Sequence, residues 1–269
     1  MITKIFVFLL GLSPNVKRSL WRWLYQFLAN YYQKPDWKFM NYGFVSLEPE
    51  VSPLDLAEED EDDRYFIQLY HHVATAVDLQ GKQILEVGSG RGGGAAYVAR
   101  YLKPDRIIGL DFADNNIRFS RQTYPLPNLF FQQGDAEALP FENDVFDVVL
   151  NVESSHCYGS MEQFVTEVSR VLKPGGIFSW TDLRLIDELE ALQASFERSG
   201  LKLINSTDIS RSVLKALELI NERKHTLLQT YVPSFLKGSF QEFSAVKDSQ
   251  LYEALRTGQA VYLSYIFEK

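Results

Sequence analysis

The chain has 269 residues, of which 46% are hydrophobic and 23% are charged, and its formal net charge is −8. This length predicts one large domain with appended elements and no second full-sized domain. The acidic balance argues against a nucleic-acid partner. The single cysteine, Cys157, excludes an intrachain disulfide and a metal site of several cysteines, which suits a reducing compartment such as the cytoplasm.

The first sixty residues predict an N-terminal arm ahead of the main domain, which we expect over residues 61–269. The apolar run 5–12 is too short to span a membrane, and apolar side chains recur at helical spacing over residues 16–32. Positions 1–47 hold six basic residues against one acidic residue. Two interpretations stay open: the arm lies on a membrane surface, or it packs over the active site or against a second subunit.

An aromatic loop and an acidic run connect the arm to the main domain. Three side chains of the loop are suited to line an acceptor pocket: Met40, Tyr42 and Phe44. The acidic run 58–63 predicts a solvated entry into a helix, because negative charge is favoured at a helix N-terminus. That helix is expected over residues 64–79.

The central motif is a short apolar strand followed by a glycine-rich turn and a second helix, over residues 84–99. This is the opening of a nucleotide-binding βαβ unit, in which Gly88 and Gly90 let a ligand approach the backbone. The carboxylate of Glu86 disfavours a pyrophosphate here and favours a ligand with an ammonium and a sulfonium, such as S-adenosylmethionine. A dinucleotide, whose spacing the glycines also satisfy through Gly93, remains the alternative, as does a turn without a ligand.

The remaining strands and helices follow in an alternating order that predicts an α/β fold. Strands are expected over residues 106–110, 129–132, 146–150, 177–181, 201–205 and 260–267, with helices over 162–172 and 185–198. Asp111, at the end of its strand and about twenty residues beyond the glycine turn, is positioned to accept hydrogen bonds from both ribose hydroxyls. Residues 206–255 predict a helical, aromatic insertion, either a lid over an apolar pocket or a helix pair that covers the sheet.

Four motifs then complete a recognisable order along the chain. They are Glu86-x-Gly88-x-Gly90, Asp111, Gly134-Asp135-Ala136-Glu137-x-Leu139-Pro140-Phe141 and Leu172-Lys173-Pro174-Gly175-Gly176. In this order the chain resembles the class I S-adenosylmethionine-dependent methyltransferases. The resemblance implies a doubly wound, Rossmann-like sheet of seven strands whose last strand is antiparallel. It also implies S-adenosylmethionine as the cofactor, with Asp135 accepting from the adenine amino group and the Ala136 N–H meeting the ring.

A second set of residues narrows the resemblance. It comprises Leu69-Tyr70-His71, Asn151-Val152-Glu153-x-Ser155-His156-Cys157-Tyr158 and Thr181-Asp182-Leu183-Arg184. With these residues the chain looks like the phthiotriol and phenolphthiotriol dimycocerosate O-methyltransferases, whose relatives methylate hydroxyls on long lipids or polyketides. The resemblance therefore implies a bulky hydrophobic acceptor. We also expect Tyr70, Phe112 and Asn151 in the cofactor site, and Tyr158 and Asp182 in the acceptor site.

The loop after the fourth strand holds the candidate catalytic residues. An aliphatic hydroxyl is a poor nucleophile until it loses its proton, and a positioned base contributes roughly 10²–10⁴-fold to the rate. His156 can accept that proton near neutral pH, and Glu153 can orient it or raise its basicity. A structural role for both residues is the alternative, and Asp182 is equally suited to an ion pair or a gate. No cluster of metal ligands is evident, so we expect no metal requirement.

The sequence therefore predicts an O-methyltransferase that acts on a hydroxyl of a hydrophobic lipid or polyketide. A C-methyltransferase of prenylated or aromatic products is the rival among enzymes, because the loop chemistry does not fix the nucleophile. A cofactor-binding scaffold without catalysis is the rival from another class. We expect a small hydrophobic acceptor and no nucleic acid as partners, with a peripheral membrane or a second copy of the chain as the contact of the arm.

Overall fold

The computed structural model describes residues 37–48, 52–232, 237–238, 241 and 244–269. The predicted arm helix and the rest of the chain before residue 37 lie outside the described residues. The same holds for Phe235, Phe240 and Phe243 of the predicted insertion. In the described part, no helix is long and apolar enough to cross a membrane.

Seven strands of the described part form one sheet. They are β1 (Gln83–Val87), β2 (Arg106–Asp111), β3 (Leu129–Gln133), β4 (Phe146–Val152), β5 (Leu172–Leu185), β6 (Lys202–Asp208) and β7 (Ala260–Glu268). The spatial order is β3-β2-β1-β4-β5-β7-β6. Strands β1 to β5 pair in parallel, and β7 runs antiparallel to both β5 and β6. The predicted α/β fold with an antiparallel last strand is confirmed.

Helices cover both faces of the sheet and bury two apolar cores. They are α1 (Glu58–Glu61), α2 (Arg64–Ala74), α3 (Gly93–Tyr101), α4 (Asp114–Thr123), α5 (Met161–Val171), α6 (Leu189–Arg198), α7 (Ser210–Tyr231) and α8 (Gln250–Thr257). Alternate residues of β1 face opposite sides, as in any strand. Ile84 packs into the core that contains α2, α3 and α7, and Leu85 packs into the core that contains α5 and α6.

Two predicted helix boundaries differ from the structure. The helix expected over residues 64–79 ends at Ala74, where the carbonyl of His71 accepts both the N–H and the hydroxyl of Thr75 in the last turn. The helix expected from residue 185 begins at Leu189. Strand β5 continues to Leu185, where it pairs with β7, and a single 3₁₀ turn connects it to the helix.

The acidic run 58–63 is only partly the solvated stretch that its composition predicts, because four of its six side chains are exposed and two are not. Asp60 and Asp63 are buried. Asp60 accepts a hydrogen bond from Arg100 on α3 at 2.7 Å, and Asp63 accepts one from Arg223 on α7 at 2.8 Å. These partners lie 40 and 160 residues away along the chain. The run therefore joins two helices that flank the site.

Candidate active site

A pocket opens at the carboxyl ends of β1, β2 and β4, where open sheets of this kind collect ligands. Its space, including the part open to solvent, is about 1060 Å³, which suits a ligand of cofactor size. Most predicted site residues line it: Met40, Tyr70, Gly88, Gly90, Asp111, Phe112, Asp135, Ala136, Glu153 and Tyr158. The others lie outside its wall: Tyr42, Phe44, Glu86, Asn151, His156 and Asp182.

The glycine turn contributes shape and space to this pocket. Gly88 and Gly90 have φ angles of +77° and +53°, a region that residues with a side chain rarely adopt. A Cβ atom at Gly88 would lie 2.4 Å from the Oγ of Ser154. The N–H of Gly88 donates to the carbonyl of Leu110 at 2.8 Å, and that of Gly90 donates to Asp111 at 2.9 Å. These N–H groups therefore hold the turn against β2.

Glu86 is a buried carboxylate next to the pocket. Its Oε1 accepts the hydroxyl of Tyr70 at 2.7 Å, while its Oε2 is buried without a hydrogen-bond partner. Burial raises the pKa of Glu86 to about 7, although the bonds from Tyr70 and the Ala95 backbone oppose the shift. A buried carboxylate oxygen without a donor calls for a polar or cationic ligand group. Tyr70 lines the pocket and donates its hydroxyl to Glu86, so it connects the buried carboxylate to the pocket wall.

Two further carboxylates follow β2 and β3. Asp111 accepts hydrogen bonds from the N–H groups of Gly90 and Ala113, both at 2.9 Å, and from the amide of Asn116. Burial raises the pKa of Asp111 to about 6. Asp135 turns its chain back on itself, with its Oδ1 accepting the N–H of Glu137 at 3.0 Å. Both acids face the same pocket, as expected of groups that bind ribose and adenine.

Glu153 lines the pocket directly after β4, and β1 separates it from the acids that follow β2 and β3. Its φ angle is +48°, in the left-handed region. Its Oε2 accepts two hydrogen bonds, from the N–H of Tyr42 at 2.8 Å and from the hydroxyl of Tyr262 at 2.5 Å. Burial raises the pKa of Glu153 to about 7, and the bond from Tyr262 and the charges of His156 and Lys224 oppose the shift.

His156 is held by Asp182 rather than by Glu153. The Nδ1 of His156 lies 2.8 Å from Asp182 Oδ1, and the His156 N–H donates to the other oxygen at 2.9 Å. Asp182 is fully buried; burial would raise its pKa, but the Arg184 guanidinium, 3.0 Å away, and His156 lower it. Burial would lower the pKa of His156, but Cys157 and Asp182 raise it well above the usual value.

Comparisons of the sequence with known proteins identify a methyltransferase family. Residues 85–180 match the family described as "Methyltransferase domain". A phthiotriol/phenolphthiotriol dimycocerosates methyltransferase of Mycobacterium tuberculosis is 38% identical over 257 residues, 96% of this chain and 94% of that protein. The chain belongs to the class I methyltransferases. A fatty-acid O-methyltransferase of Mycolicibacterium smegmatis is 36% identical over 258 residues, 96% of this chain and 93% of that protein.

Among solved structures, the methyltransferase fold is shared by a geranyl diphosphate C-methyltransferase from Streptomyces coelicolor. Its TM-score is 0.63 at 15% identity, over 91% of this chain and 98% of that one, and its structure holds Mg²⁺, geranyl diphosphate and S-adenosyl-L-homocysteine. At this identity the likeness concerns the fold alone. Among the described residues of the present methyltransferase, no group of three or more His, Cys, Asp or Glu side chains could hold a metal ion.

S-adenosylmethionine is the cofactor that the methyltransferase family and this pocket imply. The left-handed glycines leave room for that molecule, the acids after β2 and β3 suit its nucleoside, and the buried Glu86, whose Oε2 has no donor, connects to the wall through Tyr70. Asp111 would hold the ribose, and Asp135 with the Ala136 N–H would hold the adenine. When bound, the cofactor supplies a methyl group activated by a sulfonium.

Three predicted site residues support the methyltransferase pocket from behind its wall. Asn151 is fully buried, and its amide donates to the carbonyl of Val87 at 2.9 Å and to the hydroxyl of Tyr158 at 3.1 Å. The ring of Phe44 stacks on His72 at 4.6 Å between centroids. Tyr42 meets the site through its backbone N–H, which holds Glu153.

Two residues near Glu153 escape sequence analysis. Tyr262 comes from β7 and is fully buried. Lys224 comes from α7, where its ammonium lies 4.9 Å from the centroid of the Tyr42 ring, and burial lowers its pKa to about 8. Neither belongs to a motif, and both reach the site only because β7 pairs with β5 and α7 packs against β7. No pattern in the sequence signals them.

Proposed function

We propose that this methyltransferase transfers a methyl group from S-adenosylmethionine to a hydroxyl of a bulky hydrophobic lipid or polyketide. The observation that carries the proposal is the carboxylate of Glu153, which lines the pocket directly after β4, across β1 from the acids that follow β2 and β3. A hydroxyl needs a proton acceptor before it can attack a methyl group. The names of the mycobacterial relatives support a lipid as the acceptor.

Glu153 is better suited to take the proton than His156. Its pKa of about 7 allows it to be ionised at neutral pH and still basic enough to accept a proton. The pKa of His156 is raised, so its imidazole is largely protonated there, and it lies outside the pocket wall. In this mechanism the acceptor proton passes to Glu153. Bound S-adenosylmethionine would supply the methyl group to the acceptor oxygen and would leave as the thioether S-adenosylhomocysteine.

The His156–Asp182 pair has a supporting role in this mechanism. Asp182 also accepts the hydroxyl of Ser155 at 2.6 Å, so it fixes the first two residues of the short 3₁₀ turn Ser155–Cys157. That turn carries Cys157 and leads into Tyr158, which line the pocket. The pair thereby keeps the wall next to Glu153 in place, and its positive imidazolium favours the ionised form of Glu153.

The test is turnover of purified protein with S-adenosylmethionine and a panel of hydroxylated long-chain lipids, followed by mass spectrometry of the products. A new methoxy group on a hydroxylated lipid supports the proposal. A new carbon–carbon methyl on a prenylated or aromatic compound would instead identify a C-methyltransferase. Cofactor binding with no turnover on any pooled lipid extract would favour a scaffold without catalysis.

A carboxylic acid is the second candidate acceptor, and the charge state of His156 favours it. A protonated imidazole next to the pocket attracts an anion, and a carboxylate needs no base to attack a methyl group. The fatty-acid O-methyltransferase among the relatives makes this class of acceptor worth testing. Matched long-chain alcohols and acids separate the two candidates, because Glu153→Gln should slow methylation of the alcohol by roughly 10²–10⁴-fold and spare that of the acid.

The N-terminal arm supplies the remaining contact in this proposal, either with a membrane that presents the acceptor or with a second subunit. Its excess of basic and aromatic residues supports both. Removal of residues 1–34 separates them. Loss of binding to anionic vesicles identifies a membrane contact, whereas a change from dimer to monomer in light scattering identifies a subunit contact.

A further inference from the structure

Glu153 has a strained backbone that aims its side chain at the pocket. A residue with a side chain seldom adopts a φ angle of +48°, and such strain persists only where the surroundings hold it. Here the N–H of Glu153 donates to the carbonyl of Thr181 on β5 at 2.8 Å. The backbone is therefore fixed to the sheet immediately after β4, and the side chain begins at the pocket wall.

The two oxygens of the Glu153 carboxylate have different surroundings. Oε2 accepts both hydrogen bonds, one from the backbone of Tyr42 and one from the phenol of Tyr262. Among the described residues, no group donates to Oε1, and this oxygen is not enclosed. Glu153 lines the pocket, so Oε1 is the oxygen that an acceptor hydroxyl can reach.

The surroundings of Tyr262 fix its position next to Oε2 of Glu153. Its side chain is fully buried, and its ring packs at 6.3 Å from that of Tyr42. Its N–H donates to the hydroxyl of Ser210 at 2.8 Å, and its carbonyl accepts the N–H of Ile209 at 2.8 Å. Burial and the nearby Glu153 raise the pKa of Tyr262 well above its usual value, so the phenol stays protonated and remains a donor.

Charged groups on several elements face the same carboxylate. His156, from the 3₁₀ turn, and Lys224, from α7, favour its ionised form. Asp182, from β5, acts on both tyrosines, Tyr42 and Tyr262, and raises their pKa values. The phenol of Tyr262 is the side chain that bonds directly to Glu153, and a hydrogen bond to the charged form of an acid lowers its pKa.

We propose that Tyr262 is a positioning residue for methyl transfer. Its hydroxyl holds Oε2 of Glu153, so that the ionised carboxylate presents Oε1 to the acceptor hydroxyl. The inference rests on Glu153 as the proton acceptor of the proposed function. Tyr262 touches neither the acceptor nor the cofactor. It acts through the orientation and the acidity of Glu153.

The variant Tyr262→Phe removes this hydroxyl and keeps the ring. With S-adenosylmethionine and a long-chain secondary alcohol, we expect the acid limb of its kcat/KM profile to move upward by about one pH unit, a tenfold change in the protonation constant. We expect unchanged affinity for S-adenosylhomocysteine in calorimetry. The control is Tyr265→Phe on the same strand, whose ring packs against Trp180 on the other face of the sheet and whose profile should match the wild type.

A profile of Tyr262→Phe that coincides with the wild type overturns the inference. If this variant fails to fold, 3-fluorotyrosine at position 262 preserves the packing and makes the phenol a stronger donor. The acid limb should then move downward, and an unmoved limb again overturns the inference. A wild-type acid limb that persists in Glu153→Gln would overturn the proposed proton acceptor itself, and the role of Tyr262 with it. The two failures are thus distinguishable.

Discussion

The replacement Glu86→Gln tests whether this carboxylate is kept at the expense of stability. Its pKa is about 7 in the folded protein against 4.5 for a free side chain, because burial disfavours the charged form. Each unit of difference corresponds to about 1.4 kcal/mol. Ionised Glu86 therefore costs the free protein about 3 kcal/mol at pH 8, as an order of magnitude, and costs almost nothing below pH 4.5.

The sign of the effect follows from the raised pKa. The free energy of unfolding should fall as the pH rises from about 4.5 to about 7, since folding then requires a buried carboxyl group to ionise. Glutamine does not ionise, so Glu86→Gln should gain stability relative to the wild type at pH 8 and far less at pH 5. The same variant should bind S-adenosylhomocysteine more weakly, because it loses the negative charge that attracts an ammonium group.

Urea unfolding of the free protein at pH 5 and pH 8 measures the first effect, and calorimetry measures the second. The matched control is Glu190→Gln, an exposed glutamate on α6, which should alter neither quantity. A stability difference between Glu86→Gln and wild type that is the same at both pH values would refute the argument from burial. Unchanged cofactor affinity would remove Glu86 from the binding site.

Three further substitutions address the two sides of the pocket. Asp111→Ala should weaken binding of S-adenosylhomocysteine by roughly 10- to 100-fold, because hydrogen bonds to a charged group are lost. The affinity of the wild type should also fall below about pH 6, where Asp111 becomes protonated. Calorimetry that detects neither change would exclude the ribose role. Glu153→Gln should lower kcat for an alcohol acceptor by roughly 10²–10⁴-fold and leave cofactor affinity intact; wild-type turnover in this variant would rule out the proton acceptor. His156→Ala should lower kcat less than Glu153→Gln does, because it only loosens the pocket wall and makes Glu153 less ionised. If His156→Ala loses more kcat than Glu153→Gln in parallel assays, His156 is the base.

The sequence predicts the sheet well because its evidence is local. The apolar run before Gly88, the acid at the end of β2 and the motif around Asp135 each occupy a few consecutive residues. A parallel α/β arrangement then brings strand ends to one edge without further information. Gly88, Asp111 and Asp135 from these segments line the pocket, so its position at this edge of the sheet could be predicted before the structure was known.

The acceptor side is less accessible from sequence because its contacts are between distant segments. Tyr262 meets Glu153 across 109 residues, and Asp182 meets His156 across 26. The sequence alone favours His156 as the base. In the structure, the buried Asp182 raises the pKa of His156, and Glu153, with one oxygen hydrogen-bonded, lines the pocket instead. Burial and pairing determine protonation, and neither is visible in a linear pattern.

The same limit explains the acidic run 58–63. Its composition indicates a solvated helix entry, since clustered carboxylates normally remain in water. Asp60 and Asp63 are buried instead, because Arg100 on α3 pairs with Asp60 and Arg223 on α7 pairs with Asp63. The burial of an acid is set by its partner, so it becomes predictable only when the helices that carry the partners are placed.

Calorimetric titration of the purified protein with S-adenosylhomocysteine and, separately, with NADH tests the central claim most directly. The carboxylates of Glu86, Asp111 and Asp135 and the shape of the glycine turn predict micromolar binding of S-adenosylhomocysteine and no binding of NADH. Binding of NADH alone would contradict the assignment of this pocket to a methyl donor, and with it the mechanism built on Glu153.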